Sequence, residues 1–145
     1  MLDIKIKKLN EKATVPMYQT DGAAAADLYA CVDWAVMIEP GETALIPTGV
    51  AMAIPAGTVG LVFARSGLAV KKGISLANSV GVIDSDYRGE IKVGLKNTSR
   101  EPFTVNRGDR IAQIAFMPVC AAKFTEADEL DETERGDGGF GHTGK

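Results

Sequence analysis

Short apolar segments recur between turn-forming residues from Ile4 to Val119. Residues 34–38 lead into Glu-Pro-Gly-Glu, and residues 50–54 lead into Pro-Ala-Gly. Many short strands with proline and glycine at their ends are typical of a β-sandwich or barrel, so we predict an all-β fold. The other segments of this kind are Ile4 with Ile6 and residues 59–63, 91–95 and 111–116.

The length of 145 residues predicts one folded domain, and the composition of the C-terminal residues predicts a tail after it. A domain of this length buries roughly 68–70% of its unfolded surface in a single core. We predict that residues 1–123 form this domain and that residues 124–145, first acidic and then glycine-rich, form a flexible arm. One short helix is expected at residues 66–73, with Ser66 as its N-cap and Gly73 at its C′ position.

Composition argues against several classes of protein. The net charge of −3 disfavours a general nucleic-acid binder, which usually has a basic face. The apolar runs fall far short of the ~20 residues that span a bilayer, and we expect no signal peptide. Cys31 and Cys120 lack zinc-ligand spacing and predict buried free thiols in a reducing cytoplasm. Because His142 is the sole histidine, a histidine-based metal cage is impossible.

Residues 81–90, Gly-Val-Ile-Asp-Ser-Asp-Tyr-Arg-Gly-Glu, place carboxylates, a tyrosine and an arginine in one turn. The turn follows a strand-like run and precedes Ile91, Val93 and Leu95, which alternate with other residues as in a half-buried strand. We therefore predict a hairpin that holds its side chains rigidly, as a reactive carboxylate requires. Aspartate and serine are also ordinary turn residues, so this segment taken alone is explained more simply as structure.

Two further segments carry polar groups that suit a phosphate-containing ligand. Arg65, Ser66 and Gly67 join a strand to the predicted helix, where amides and a guanidinium could bind phosphate oxygens. A helix cap and a surface charge explain the same residues equally well. Gln113 follows Ile111 by two positions, so we expect both on one face, where the amide would need hydrogen-bond partners.

Other charged residues leave alternatives open. Asp27 interrupts an apolar run, and in a β core it would need a cationic partner or a metal, although an edge-strand position would expose it to water. Asp109 and Arg110 are expected to form an ordinary ion pair. In the tail, Arg135 could pair with phosphate and Phe140 could stack on a base, or the tail could be disordered with an incidental phenylalanine.

Five segments, in order and spacing, resemble the motifs of the homotrimeric dUTP pyrophosphatase (dUTPase) family. They read AAADLYA at 24–30, ARSGLA at 64–69, NSVGVIDSDYRGE at 78–90, RGDRIAQ at 107–113 and RGDGGFGHTG at 135–144. Five concordant motifs are far more specific than any one of them. The resemblance implies a distorted jelly-roll-like β-barrel that hydrolyses dUTP to dUMP and pyrophosphate, which keeps uracil out of DNA and supplies dUMP for dTMP synthesis.

The resemblance also implies roles for individual residues. Asp84 would be the general base that activates water for attack on the α-phosphorus, and Tyr87 would pack under the deoxyribose, leaving no room for a 2′-hydroxyl. Asp27 would position Mg²⁺ through a coordinated water, and each site would draw on three subunits of a homotrimer. The substrate-binding residues implied are Asn78, Val82, Ile83 and Lys92 for uracil, Arg65, Ser66, Gly67, Gln113 and Arg135 for the phosphates, and Phe140, Gly141 and His142 in the closing tail.

Two alternatives share part of this pattern: a dCTP deaminase of the same fold, and a regulatory trimer that binds nucleotide without hydrolysing it. The intact tail and the Val-Ile-Asp-x-x-Tyr segment favour the pyrophosphatase, and the retained Asp84 argues against a non-catalytic protein. Three residues depart from the family pattern. Ala25 replaces a common glycine, and Asp137 and His142 occupy tail positions that are often small. Asp137 would bring a negative charge near the triphosphate.

Overall fold

The computed structural model describes residues 2–139, and within that range the chain forms eleven strands and one short helix. The predicted all-β class with one helix is confirmed. The strands are β1 (Lys5–Lys8), β2 (Ala26–Tyr29), β3 (Val36–Ile38), β4 (Thr43–Pro47), β5 (Val50–Ala53), β6 (Thr58–Phe63), β7 (Ile74–Leu76), β8 (Gly81–Ile83), β9 (Lys92–Asn97), β10 (Phe103–Val105) and β11 (Arg110–Pro118), and the helix is α1 (Ser66–Lys72).

The strands of the described residues pair into four small antiparallel sheets. The largest has the order β2-β11-β6-β8, and the next has the order β4-β9-β7. Two further pairs, β1 with β5 and β3 with β10, complete the set. Because β11 is nine residues long and lies between β2 and β6, it aligns both of these strands in one sheet.

The inner faces of the sheets share one hydrophobic core. Strand β9 shows the predicted period of two, since Val93 and Leu95 are buried while Lys92 and Lys96 are exposed. Burial of branched aliphatic side chains stabilises such a core by about 1.5–3 kcal/mol for each side chain. The largest fully buried side chains are Leu28, Ile38, Ile46, Ile54, Ile74, Ile91, Leu95, Ile111, Ile114, Val50, Val93 and Val105.

The turn that follows β8 is not the tip of a hairpin. Strand β8 pairs with β6, whereas β9 pairs with β4 and β7, so the turn at residues 84–90 connects two different sheets. The expected hairpin was therefore wrong, although both flanking strands exist. Alternation of apolar residues predicts a strand but does not identify its partner, which depends on contacts distant in sequence.

The helix begins one residue away from the predicted cap. Arg65 is the N-cap, with extended backbone and no side-chain capping hydrogen bond, and Ser66 is already helical. At the other end Gly73 has φ of 65°, and its N–H donates to Ala69 O at 3.2 Å, as predicted for a C-terminal glycine. The predicted N-cap was wrong because the extended strand conformation continues through Arg65.

The thiols and the chain end differ in their surroundings. Cys31 is buried, but Cys120 is exposed, which corrects the expectation of two buried thiols. Residues 119–139 contain no helix or strand, and Phe124 and Leu130 in this segment are 94% and 87% exposed. No helix in residues 2–139 combines the length and apolar character needed to cross a membrane.

Asn97, at the end of β9, holds three segments together. Its buried side-chain amide donates to Ile38 O at 2.9 Å and to Glu101 O at 2.8 Å. Its Oδ1 accepts from the Ser99 N–H at 2.9 Å and from the Ser99 hydroxyl at 2.7 Å. A buried polar side chain stabilises a fold only when its groups are paired, and this one is paired on both of its polar atoms.

We expect Asn97→Ala to lower the free energy of unfolding by about 2–4 kcal/mol, because it leaves buried carbonyl and amide groups unpaired. Urea denaturation monitored by circular dichroism measures the change. Asn106→Ala is the matched control, since Asn106 is exposed, and it should change stability by less than about 0.5 kcal/mol. Equal losses in the two variants would contradict the proposed role of Asn97.

Candidate active site in two pockets

Strand β6 connects the two regions that hold most of the predicted site residues. Its end at Phe63 leads directly into Arg65 and α1. On its other side β8 runs antiparallel, with Gly81 opposite Val62 and Ile83 opposite Gly60, so the chain moves away from Arg65 as it approaches Asp84. Six residues of strand span about 20 Å. The two regions therefore lie at opposite ends of β6.

The first region is a cavity of about 380 Å³, which we call the turn pocket. This volume lies within the range of small-molecule sites. The pocket includes Val82, Ile83, Asp84, Tyr87 and Lys92, five of the residues predicted to bind substrate or act on it. Its complete lining is Leu45, Val82, Ile83, Asp84, Tyr87, Glu90, Ile91 and Lys92.

Tyr87 lies across the end of the turn. Its hydroxyl donates to Glu90 O at 3.0 Å, and its backbone N–H donates to Asp84 O at 3.2 Å. The residue is 45% exposed, so part of its surface remains accessible from the pocket. Arg88, by contrast, donates to Ser85 O at 2.6 Å and to Tyr87 O at 2.9 Å, and so stabilises the turn itself.

Asp84 and Asp86 differ in their relation to the turn pocket. Both side chains are exposed, but Asp84 lines the pocket and Asp86 does not. A carboxylate that lines a pocket can act on a molecule bound there. Glu90 is the other carboxylate of the turn in this lining, but its oxygens already contact Gly49 N–H and Lys92 Nζ.

The second region, which we call the arginine pocket, is a cavity of about 260 Å³ at the other end of β6. The predicted residues Asp27, Arg65, Ser66, Gly67 and Gln113 meet in it. The structure thus brings together residues from β2, β11 and the start of α1 that are far apart in sequence. The full lining is Gln19, Ala23, Ala25, Asp27, Arg65, Ser66, Gly67, Arg110 and Gln113.

Asp27 is buried and binds two arginines. Its Oδ1 lies 3.0 Å from Arg65 Nε, and its Oδ2 lies 3.3 Å from Arg110 Nη1. Arg65 also donates from Nη1 to Arg110 O at 3.1 Å, which fixes the plane of its guanidinium. The predicted cationic partner of Asp27 is present. The expected Asp109–Arg110 pair is not among the ion pairs of residues 2–139, because Asp109 Oδ2 instead accepts from Asn106 N–H at 2.7 Å.

Gln113 reaches the arginine pocket because the pairing of β11 with β2 is irregular. The register shifts between Arg110 and Ala112, so Ile111 has no partner on β2, and Ile111 and Ala112 are both buried. Gln113 lies opposite Asp27 and is only half-buried, which corrects the prediction that it shares a face with Ile111. Its amide donates to Ala64 O at 3.0 Å. The bulge could not be recognised from the sequence.

The described residues offer no protein cage for a metal ion. Within residues 2–139, no three His, Cys, Asp or Glu side chains gather into a group that could hold one. Both carboxylate oxygens of Asp27 already bind arginine nitrogens. These contacts are compatible with an indirect role of Asp27 through water, and a divalent ion would take most of its oxygen ligands from a bound phosphate chain and water.

Several predicted residues lie outside both pockets. Asn78 is exposed before β8, with its side-chain nitrogen 3.7 Å from the position that a Cβ on Gly81 would occupy. Arg135 is exposed and donates from Nε to Gly138 O at 2.8 Å. Phe140, Gly141 and His142 lie outside the described residues.

The structure adds residues that sequence reasoning missed. Arg110 belongs to the arginine pocket through Asp27, and Glu90 and Leu45 line the turn pocket. Glu90 belongs to the same sequence motif as Asp84, so its presence in the same pocket could have been predicted from the sequence. Nothing in the sequence indicates that Leu45, on β4, would approach residues 82–92.

Comparisons with known proteins agree on one family. The family model for dUTPase matches residues 11–144. The chain is 54% identical over 149 residues to the deoxyuridine 5'-triphosphate nucleotidohydrolase of Desulfitobacterium hafniense strain DCB-2, covering 99% of both. It is 50% identical over 143 residues to the enzyme of that name from Syntrophotalea carbinolica, covering 99% of this chain and 97% of the relative.

Solved structures show the same fold. The dUTPase of Staphylococcus bacteriophage 80alpha with dUPNHPP superposes with a TM-score of 0.90 at 27% identity, covering 99% of both chains. A single-residue variant of the dUTPase from phage phi11 of S. aureus superposes with a TM-score of 0.81 at 25% identity, covering 90% of this chain and 99% of that one. That phi11 structure reveals the coordination of a structural Mg(II) ion.

We expect Asp27→Ala to lower the free energy of unfolding by about 2–3 kcal/mol, because it leaves two adjacent arginines without their shared carboxylate. Asp33→Ala is the matched control. Asp33 also pairs with two cations, Lys12 and Arg107, but its side chain is 68% exposed against 8% for Asp27. Exposed pairs contribute about 0–1 kcal/mol. Denaturant titration compares the two variants, and a larger loss for Asp33→Ala would contradict this account.

Proposed function

This chain belongs to the dUTPase family, and we propose from that membership and from its two pockets that it hydrolyses dUTP to dUMP and pyrophosphate. The observation that carries the proposal is that the two pockets contain different chemical groups. The turn pocket combines a carboxylate with a partly exposed tyrosine, while the arginine pocket collects two guanidinium groups and an amide. A nucleoside suits the first, and a phosphate chain suits the second. The reaction would keep uracil out of DNA and supply dUMP.

In the proposed mechanism Asp84 accepts a proton from a water molecule that attacks the α-phosphorus of dUTP. A bond forms between the water oxygen and the α-phosphorus, the bridge to the β-phosphate breaks, and pyrophosphate leaves. General-base catalysis of this kind contributes about 10²–10⁴-fold to a rate. The position of Asp84 in the pocket lining, next to Ile83 and Tyr87, supports this role.

Uracil and deoxyribose would be bound in the turn pocket. Strand β8 is at the end of its sheet order in the described residues, so the main chain at Val82 and Ile83 has an edge available for a base. Lys92 lies on the other side of the same pocket. Tyr87 would form the floor under the deoxyribose and exclude a 2′-hydroxyl, and Asn78 would approach from the start of the β8 segment.

The phosphates would be bound by Arg65, Ser66, Gly67 and Gln113. Asp27 orients the Arg65 guanidinium through a bond of 3.0 Å, and a fixed guanidinium plane favours bidentate contact with phosphate oxygens. Mg²⁺, when bound with the substrate, would offset the negative charge that develops on the phosphate chain. Asp27 would contact the ion only through water.

Complete sites would form in a homotrimer. One chain places its turn pocket and its arginine pocket toward opposite ends of β6, which supports sharing of each site between neighbouring subunits. The barrel would comprise residues 1–123, and residues 124–145 would close over the site. In that arm Arg135 would contact the terminal phosphate, Phe140 would stack on uracil, and Gly141 and His142 would complete the closing segment. We place the protein in the cytoplasm.

We expect pyrophosphate release from dUTP to exceed that from dTTP, dCTP and UTP by at least about 10²-fold in kcat/KM. The turn pocket would exclude the methyl group of thymine and the 2′-hydroxyl of UTP, and it would distinguish uracil from cytosine by the polar edge of the base. A coupled pyrophosphate assay with each nucleotide, together with an ammonia assay on dCTP, measures this preference. Ammonia release from dCTP without pyrophosphate release from dUTP would instead identify a deaminase.

We expect Asp84→Asn to retain dUTP binding and to lower kcat by about 10³-fold or more, because the amide cannot accept the proton. Asp86→Asn is the matched control and should retain kcat within about threefold, since Asp86 does not line the pocket. Isothermal titration with a non-hydrolysable analogue measures binding, and steady-state kinetics measures turnover. Normal turnover in Asp84→Asn would remove the base assignment, and lack of turnover in the unmodified protein would favour the regulatory trimer.

A further inference from the structure

Gly89 lies beside the side chain of Tyr87. A Cβ placed on Gly89 would contact Tyr87 Oη, and it would lie 2.6 Å from Tyr87 Cζ and 2.9 Å from Cε2. Real Cβ atoms essentially never show distances below 3.0 Å, so any side chain at position 89 would displace the ring. The three nearest atoms all belong to Tyr87, and the ring therefore lies directly against the backbone of Gly89.

The backbone conformation at position 89 does not itself require glycine. The glycines with positive φ in the described residues are at positions 41, 49, 57, 73, 108 and 136, and Gly89 is not among them. Alanine could adopt its conformation without backbone strain. The nearest obstacle to a side chain at position 89 is thus the ring of Tyr87.

The segment that the ring contacts is anchored to the barrel. Glu90 Oε1 accepts from Gly49 N–H at 2.8 Å, and Ile91 N–H donates to Val50 O at 2.9 Å. The Thr48 hydroxyl also donates to Ile91 O. The carbonyl oxygen of Glu90 accepts a hydrogen bond from the Tyr87 hydroxyl. The ring is therefore held between this oxygen and the backbone of Gly89, which has no side chain.

We propose that Gly89 is a specificity-determining residue that acts by positioning Tyr87. Only glycine allows the ring to lie against the turn and donate to Glu90 O, and this position sets how much room remains at C2′ of a bound sugar. The proposal rests on the proposed function, since it names the residue that fixes the position of Tyr87, the side chain that would pack under the deoxyribose in the same pocket. A side chain at position 89 would push the ring outward, weaken its contact with deoxyribose and alter the space that excludes ribose.

The test is Gly89→Ala, with kcat and KM measured separately for dUTP and UTP. We expect the ratio of kcat/KM values, dUTP over UTP, to fall about tenfold or more, chiefly through a higher KM for dUTP. Gly22→Ala is the matched control, because no atom lies within 4 Å of its Cβ position and its φ is not positive, and it should leave the ratio unchanged. A ratio within about twofold of the unmodified protein in Gly89→Ala would overturn the proposal.

Two further variants separate positioning from a general loss of structure. Tyr87→Phe removes only the hydroxyl bond to Glu90 O and should lower the ratio by a smaller factor. In a Tyr87→Ala background, Gly89→Ala should produce no further change, since the ring through which it acts is gone. Equal effects of Gly89→Ala in both backgrounds would refute the positioning role.

A crystal structure of Gly89→Ala gives a readout that does not depend on activity. The ring of Tyr87 should be displaced, and its hydroxyl should no longer lie within hydrogen-bond distance of Glu90 O. An unmoved ring would refute the proposal even if the enzyme were active. If the unmodified protein failed to hydrolyse dUTP, the proposed function would fail, while a displaced ring would still confirm the structural part of the inference.

Discussion

The antiparallel pairing of β6 with β8 determines where both pockets lie. Since Gly81 pairs with Val62 and Ile83 pairs with Gly60, the chain of β8 must move toward the start of β6 and away from Arg65. The turn that carries Asp84 therefore lies toward the start of β6. The end of β6 leads instead to Arg65 in the arginine pocket. The proposed distribution of the site over subunits thus has its origin in one strand pairing.

The buried carboxylate of Asp27 is the second constraint. It lies opposite Gln113 across the β2–β11 pair, and it binds Arg65 and Arg110 from two other segments. Removing a carboxylate from water is unfavourable unless it is paired, so Asp27 in turn requires both cations to stay close. The guanidinium of Arg65 is consequently held in one orientation, and the phosphate binding proposed for it would therefore cost less conformational entropy.

Sequence reasoning recovered local features and missed those that depend on distant contacts. The alternation around Val93, the glycine that ends α1 and the short strands were all predictable, because each depends on neighbouring residues. The Asp27–Arg110 pair, the bulge at Ile111 and the partner of β8 were not, because each is decided by strand register. The five motifs identified most pocket residues without giving their grouping into two pockets.

In the proposed function, selectivity would be decided in the turn pocket, since guanidinium groups bind phosphate oxygens in the same way whatever base and sugar the nucleotide carries. A pocket excludes a ligand with one additional hydroxyl only if the side chains that line it are held in place, because a side chain that can move would accommodate the extra atom. The ring of Tyr87 lies against Gly89, and its hydroxyl donates a hydrogen bond to Glu90 O. The carboxylate of Glu90 in turn accepts a hydrogen bond from Gly49 N–H. Rigidity in this turn therefore comes from the barrel beneath it. In the proposed function the arginine pocket would bind the phosphates without needing to recognise the nucleoside.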